Sequence, residues 1–333
     1  MHLITGATGL LGSHLVEQLV AQGEQVRAIV RPTSSTDYLN LRGVELNYGD
    51  LTDTSSLHRA MKDVKFVFHA AAKVGDWGTR AEFHRDTVVG TRNVIAACMA
   101  TGVSRLIHIS STSAYGHPEP SSVPIDETRP LGSKYWMWDD YTRAKIAAEQ
   151  SVWAAYNERD LGITVIRPSW LYGPRDRLSI ARIAKSLQKG RVKIIGDGTN
   201  QMNTVYAGNV AEACILAASN PLARGQAYNI TNDGSLSQQE YFNLYADAFG
   251  YPRPTRHVPY WLAFAGAWLL EATYRALKMR KPPFITRYAA WLLGRHTIYS
   301  TLKAQRELCW QPRVGYKEGI SATVKWFREN HMV

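Results

Sequence analysis

Apolar residues in the first half of the chain form short β-branched runs. Helix-length stretches separate these runs, and there apolar residues return every three or four positions. Residues 3–5, 26–30, 44–47, 66–69, 104–110 and 163–167 are predicted as strands. Residues 11–21, 54–61, 83–101 and 139–159 are predicted as helices between them. Strands alternating with helices imply right-handed crossovers and a parallel sheet covered on both faces. Past Pro168 the rhythm loosens around Tyr172-Gly173-Pro174 and Gly196-Asp197-Gly198, with helices predicted over 207–218 and 238–249. The expected fold is α/β, a doubly wound parallel sheet followed by a smaller C-terminal region.

Gly6-Ala7-Thr8-Gly9-Leu10-Leu11-Gly12 follows the first strand directly and opens a helix. The first glycine permits the tight turn, the second lets backbone approach a pyrophosphate, and the third lets helix and strand pack closely. The helix N-terminus adds free N–H groups. Gly6, Thr8, Gly9, Leu10, Leu11 and Gly12 are therefore expected to hold a dinucleotide. Residues 1–168 are then expected to form an NAD(P)-binding Rossmann domain, and residues 169–333 a substrate-binding region interleaved with the last strands of the sheet. The second strand ends in Arg31, with no acid before Asp37, which favours NADP; NAD is the alternative. Gly49-Asp50-Leu51 ends the third strand at the edge where ligands lie, placing Asp50 and Leu51 in the cofactor site. Asp50 suits an adenine amino group, or a cap for the next helix. Small Ala70, Ala71 and Ala72 after the fourth strand leave room for the cofactor or serve close packing.

Tyr141 and Lys145 stand at i and i+4 on a predicted helix, so phenol and ammonium share one face. A phenol with an ordinary pKa of about 10 is a poor acid-base group. A neighbouring ammonium favours the phenolate and brings the group toward working pH, and the same lysine can hold the nicotinamide ribose. Tyr274/Lys278 and Tyr299/Lys303 repeat the spacing in the basic tail. Only Tyr141 follows a strand ending in Ser110-Ser111-Thr112-Ser113, so the expected catalytic set is Ser111, Tyr141 and Lys145, with Thr112 as the alternative hydroxyl. Pro168 and Ser169 open a rigid turn expected to cover the nicotinamide face, so Tyr141, Lys145, Pro168 and Ser169 also count as cofactor contacts.

With 333 residues, 45% of them hydrophobic and 20% charged, the chain can bury a large core. Cys98, Cys214 and Cys309 lie far apart without metal-ligand spacing, so buried thiols in a reducing compartment are expected, with no metal site. A strand beginning at residue 2 leads to the expectation of no secretory signal and a cytoplasmic location, at a membrane face in one reading. From Tyr251 onward fourteen Lys/Arg meet four Asp/Glu, so ten of the eleven net positive charges sit there. They alternate with Trp261, Phe264, Trp268, Tyr274, Phe284, Tyr288 and Trp291, which suits lipid better than a nucleic-acid track. The uncharged run 257–270 falls short of the ~20 residues that span a bilayer. It is expected to roof a hydrophobic pocket, to be an ordinary buried helix, or to give peripheral membrane contact through residues 257–295.

These motifs as a set resemble the extended short-chain dehydrogenase/reductase superfamily across nearly the whole chain. Besides the glycine triplet and Tyr-x-x-x-Lys, they include Ser110-Ser111-Thr112-Ser113-Ala114-Tyr115-Gly116 and Arg167-Pro168-Ser169-Trp170-Leu171-Tyr172-Gly173-Pro174. Ala227-Tyr228-Asn229-Ile230-Thr231-Asn232-Asp233 and His257-Val258-Pro259-Tyr260-Trp261 resemble the 3β-hydroxysteroid dehydrogenase branch, including sterol-4α-carboxylate 3-dehydrogenases. Ala70-Ala71-Ala72-Lys73-Val74-Gly75-Asp76-Trp77-Gly78 is similar to bacterial 2-alkyl-3-oxoalkanoate reductases. The resemblance implies hydride exchange with a secondary alcohol or ketone of a hydrophobic small molecule, and a homodimer. Two positions depart from the family pattern: Thr87 replaces an asparagine, and Asn209 stands where many members carry an acid. A nucleotide-sugar epimerase or dehydratase and a non-catalytic NADP(H)-binding module are the competing readings.

Overall fold

Alternate residues of each strand bury on opposite faces of one sheet, giving short β-branched runs a two-sided core. The computed structural model describes residues 1–159 and 161–330; residues 331–333, the end of the expected C-terminal region, lie outside the described residues. The first six strands are β1 (His2–Thr5), β2 (Val26–Val30), β3 (Glu45–Tyr48), β4 (Phe66–His69), β5 (Arg105–Ile109) and β6 (Ile163–Pro168). Later come β7 (Trp170–Tyr172), β8 (Ile194–Ile195), β9 (Thr204–Tyr206), β10 (Gln226–Ile230) and β11 (His257–Val258). β10 joins the first six in a parallel sheet of order β10-β6-β5-β4-β1-β2-β3. The two short pairs β7/β9 and β8/β11 stand apart from it.

The helices of the first half are α1 (Leu10–Ala21), α2 (Asp37–Asn40), α3 (Thr54–Met61), α4 (Arg80–Phe83), α5 (Gly90–Thr101) and α6 (Asp140–Arg159). Those of the second half are α7 (Ser179–Gln188), α8 (Ala207–Ser219), α9 (Gln238–Phe249), α10 (Tyr260–Ala276), α11 (Arg287–Gly294), α12 (Leu302–Leu308) and α13 (Tyr316–Glu329). Ile4, Ala28, Phe68, Ile107 and Ile166 pack on one sheet face with α1 and α8. Leu3, Ile29, Val67, Leu106 and Val165 pack on the other with residues of α3, α5 and α6. A third cluster, from α7, α9 and α13, forms the body of the C-terminal half.

The expected helix over 83–101 begins earlier and is interrupted. Thr79 and Glu82 form a capping box that starts α4, and His84–Val89 winds as a π turn before α5. β3 sits one residue later than expected, because Val44 turns into the core and Glu45 pairs with Arg27 at the sheet edge. The second-half strands β7, β8, β9 and β11 are two or three residues long, too short for a period to register.

Asn209 has a physical reason to be an amide. Its Nδ2 donates to Asp233 Oδ1 at 2.7 Å and to the Val314 carbonyl at 2.8 Å, while its Oδ1 accepts from the N–H groups of Arg313 and Val314. The Tyr172 hydroxyl and the Tyr206 N–H donate to the other Asp233 oxygen. Burial pushes the Asp233 carboxyl up to about 6 despite these donors. An acid at 209 would set two carboxylates against each other. Asn209→Asp should therefore cost about 3 kcal/mol in urea unfolding near neutral pH. The folded pKa of Asp233 lies above its ordinary value, so the folded chain takes up this proton first as pH falls. The deficit should then shrink below pH about 6, where one proton bridges the pair; a pH-independent deficit would contradict this.

Candidate active site

Gly6 leaves β1 with φ +74°, and a Cβ built there would lie 2.8 Å from the Ala71 nitrogen. A Cβ on Gly12 would lie 2.1 Å from the Gly6 carbonyl oxygen. Only glycine lets the loop, α1 and the end of β4 close up in this way. Gly9 caps α1 without a side chain, so the first-turn N–H groups face outward unshielded. Thr8 and Gly9 form the exposed tip, with Leu10 partly buried beside them. This cradle fits a pyrophosphate. Leu11 does not offer a side chain to it, because that side chain is buried in the core with Leu15 and Val16.

Arg31 is exposed just past β2, and its charge acts on Asp50. Partial burial pushes the Asp50 carboxyl up, but hydrogen bonds from the Thr52 N–H and hydroxyl, helped by Arg31 and Arg85, hold it below its ordinary value. The helix cap expected of Asp50 belongs instead to Asp53, which accepts from the N–H groups of Ser55 and Ser56. Leu51 lies against Gly90, and its carbonyl accepts from Asn93. Ala70 and Ala71 donate their N–H groups to the carbonyl and hydroxyl of Thr5, 3.2 Å away in both cases. Ala72 follows, partly buried.

The chemical residues gather at the neighbouring strand ends. Ser111 caps a 3-10 turn over Thr112–Tyr115 and accepts from the Ser113 N–H at 3.1 Å. The side chains of Ser111 and Ser113 lie near the Tyr141 hydroxyl and act to lower its pKa. One helical turn further on, the buried Lys145 donates from Nζ to the Ile109 carbonyl at 3.1 Å. Burial lowers the Lys145 ammonium to about 8, against the opposing pull of Glu149. The expected lowering of the phenol by its lysine is not what the structure shows. Burial raises Tyr141, with Asp139 and Asp76 adding to the effect and the two serine hydroxyls opposing it. Pro168 and Ser169 are buried at the end of the adjacent β6. The rival pairs fall elsewhere: Lys278 lies beyond the end of α10 with φ +50°, and Lys303 bonds Gln226.

Several residues join the site that the sequence did not single out. Ser113 lies near the Tyr141 hydroxyl together with Ser111, and its own buried hydroxyl has no hydrogen-bond partner among the described residues. Tyr288 of α11 packs edge-on to Tyr141, ring centroids 5.8 Å apart, and Phe83 does so at 6.2 Å from another side. Tyr288 also borders two cavities. One is lined by Thr112, Ser113, Asn203, Trp291 and Tyr299; the other by Phe83, Trp138 and the charged Asp76, Asp139, Asp140, Glu271 and Arg275. The run of serines was a usable signal for Ser113. Nothing local marks Tyr288, which arrives through tertiary folding. Thr87, in the π turn, accepts from the Lys73 N–H at 3.2 Å and so ties down the loop beyond Ala72.

Residues 2–231 match the NAD dependent epimerase/dehydratase family. A 2-alkyl-3-oxoalkanoate reductase from Stenotrophomonas maltophilia is 35% identical, the alignment covering 96% of each chain. The human decarboxylating sterol-4-alpha-carboxylate 3-dehydrogenase is 31% identical, over 98% of this chain and 87% of the relative. Among solved structures, that of gox2253 is 28% identical with a TM-score of 0.83, covering 100% of this chain and 99% of the other. MoeE5 in complex with UDP-glucose and NAD is 26% identical with a TM-score of 0.75, covering 99% of both chains. A glycine cradle at β1, a tyrosine and lysine one turn apart on α6 and these matches agree: the chain belongs to the NAD dependent epimerase/dehydratase family.

Proposed function

We propose that the chain is an NADP(H)-dependent dehydrogenase/reductase acting on the 3-hydroxy or 3-oxo group of a hydrophobic small molecule, such as a sterol or a β-keto lipid. The observation that carries this reading is the Tyr141 hydroxyl, set beside the Ser111 and Ser113 side chains and one helical turn from the buried Lys145 ammonium. The nicotinamide, when bound, supplies or accepts the hydride. Gly6, Gly9 and Gly12 would hold the pyrophosphate, Asp50 the adenine and Lys145 the ribose. The Ser111 hydroxyl orients the substrate oxygen. Tyr141, raised by burial, keeps its proton at neutral pH and is placed to give it to a carbonyl oxygen during reduction. The Lys145 ammonium then stabilises the phenolate left behind.

The relatives named above are a reductase and a dehydrogenase, which supports keto/hydroxy chemistry over epimerisation. Tyr288, Trp291, Leu292 and Tyr299 give the first cavity an apolar wall that suits a hydrophobic substrate better than a sugar nucleotide. Preference for NADP rests on Arg31, a cation at the ribose end of β2 with no acid beside it in sequence before Asp37.

Tyr141→Phe should lower reduction of a 3-oxo lipid by about 10²–10⁴-fold while NADPH affinity stays within a few-fold. Undiminished turnover in that variant would overturn the mechanism. In the wild type, kcat/KM for reduction should hold level through neutral pH and fall above about 8, as Lys145 loses its charge; a rise there would contradict the role given to Lys145. Arg31→Ala should weaken NADP(H) binding by about 10–100-fold in calorimetry and leave NAD(H) binding unchanged. An equal loss for both cofactors would remove the case for NADP.

A further inference from the structure

Helix α10 has two apolar faces, and only one is covered. On the inner face Ala267 packs with Ile195 and Ala290, and Phe264 meets Trp136 edge-on with ring centroids 5.5 Å apart. Glu271 is buried there against Arg287, whose guanidinium lies 3.8 Å from the Trp138 ring centroid. Through Glu271 and Arg275 this helix lines the cavity that Tyr288 and Asp139 border. Trp77 donates to the Met279 carbonyl at 3.2 Å and the Thr286 hydroxyl donates to Asp76, so the loop beyond β4 clasps the segment between α10 and α11.

On the outer face Trp261, Leu262, Ala265, Trp268, Leu269 and Ala272 follow one helical stripe, and all are exposed. Trp261 is 69% and Trp268 55% exposed, far beyond a single stray surface hydrophobe. Leu277, Met279 and Phe284 continue the exposed apolar surface past the helix end, among the exposed cations Arg275, Lys278, Arg280 and Lys281. Between Asp247 and Glu307 the sequence holds a single acid, Glu271, which is buried and paired. The outer surface of this segment thus carries cations and no exposed acid.

We propose that this face docks in the plane of an anionic phospholipid surface. Tryptophans suit the headgroup level, and the flanking Lys and Arg suit lipid phosphates. No helix among the described residues is long and apolar enough to cross a membrane, so α10 lies along the surface. A second copy of the chain would bring this face no exposed acid to answer Arg275, Lys278, Arg280 and Lys281, because its single acid, Glu271, is buried and paired. The docked helix stands between the bilayer and the cavity beside Tyr141, so a lipophilic substrate reaches that cavity from beneath α10 without crossing water. This route rests on the reductase reading; the docking does not, and it is tested without turnover.

Flotation of the full chain with phosphatidylcholine vesicles, with and without phosphatidylglycerol as about one lipid in three, tests the docking. The protein should float with the anionic vesicles and stay behind with the neutral ones. The double variant Trp261→Gln/Trp268→Gln should lose at least about tenfold in partition with an unchanged melting temperature. Replacing Lys278, Arg280 and Lys281 by Gln should weaken partition about fivefold per cation at low salt and flatten its salt dependence. Equal flotation of the wild type and both variants would overturn the proposal, as would no flotation with either vesicle. A concentration-dependent dimer in sedimentation that the tryptophan variant dissolves would also overturn it, assigning the face to a second copy.

Discussion

A buried ammonium fixes the geometry of this molecule. Removing Lys145 from water is costly unless the surrounding chain answers the charge. The answer comes from the Ile109 carbonyl at the end of β5 and, one turn further along α6, from Glu149. Glu149 is in turn held by Arg167 of β6 at 2.5 Å and by the Ser110 hydroxyl, and Arg167 reaches the Tyr115 hydroxyl at 2.7 Å. Tyr141, Lys145 and Glu149 are spaced by four residues, so they form one stripe of α6 facing the carboxyl ends of β5 and β6. That stripe sets the height of the phenol over Ser111 and Ser113. Loss of any one member would leave a charge or a donor stranded in the interior.

How much of this could be read from the sequence depends on how far apart the partners lie. The glycine turn was legible because its constraints are local: Gly6, Gly9 and Gly12 act within one loop. Helix α9 was legible because Ser237 and Glu240 box its start and Gly250, with φ +70°, ends it. The face shared by Tyr141 and Lys145 followed from helical spacing alone. What was not legible depended on tertiary surroundings. The side of α1 that faces the sheet turned Leu11 into a core residue. The sign of the Tyr141 shift came from burial, which spacing does not reveal. The amide at 209 makes sense only beside Asp233.

The fold is shared with MoeE5, solved in complex with UDP-glucose and NAD, so the fold alone does not choose the substrate. Both halves line the cavities beside the site. Tyr288 and Trp291 descend from α11 onto the site, while Phe264 and Glu271 hold α10 over it. Glu271 and Arg275 of α10 line the second cavity, so the helix that carries the exposed stripe also borders the site. The same segment presents the exposed Trp261, Leu262, Trp268 and Leu269 to its surroundings.

A crystal structure with NADP⁺ bound tests the central claim most directly. The expected result has the Lys145 amine within about 3 Å of the nicotinamide ribose hydroxyls and the Tyr141 hydroxyl facing the substrate pocket beside Ser111. A ribose bound elsewhere, with Lys145 still on the Ile109 carbonyl, would contradict the assignment.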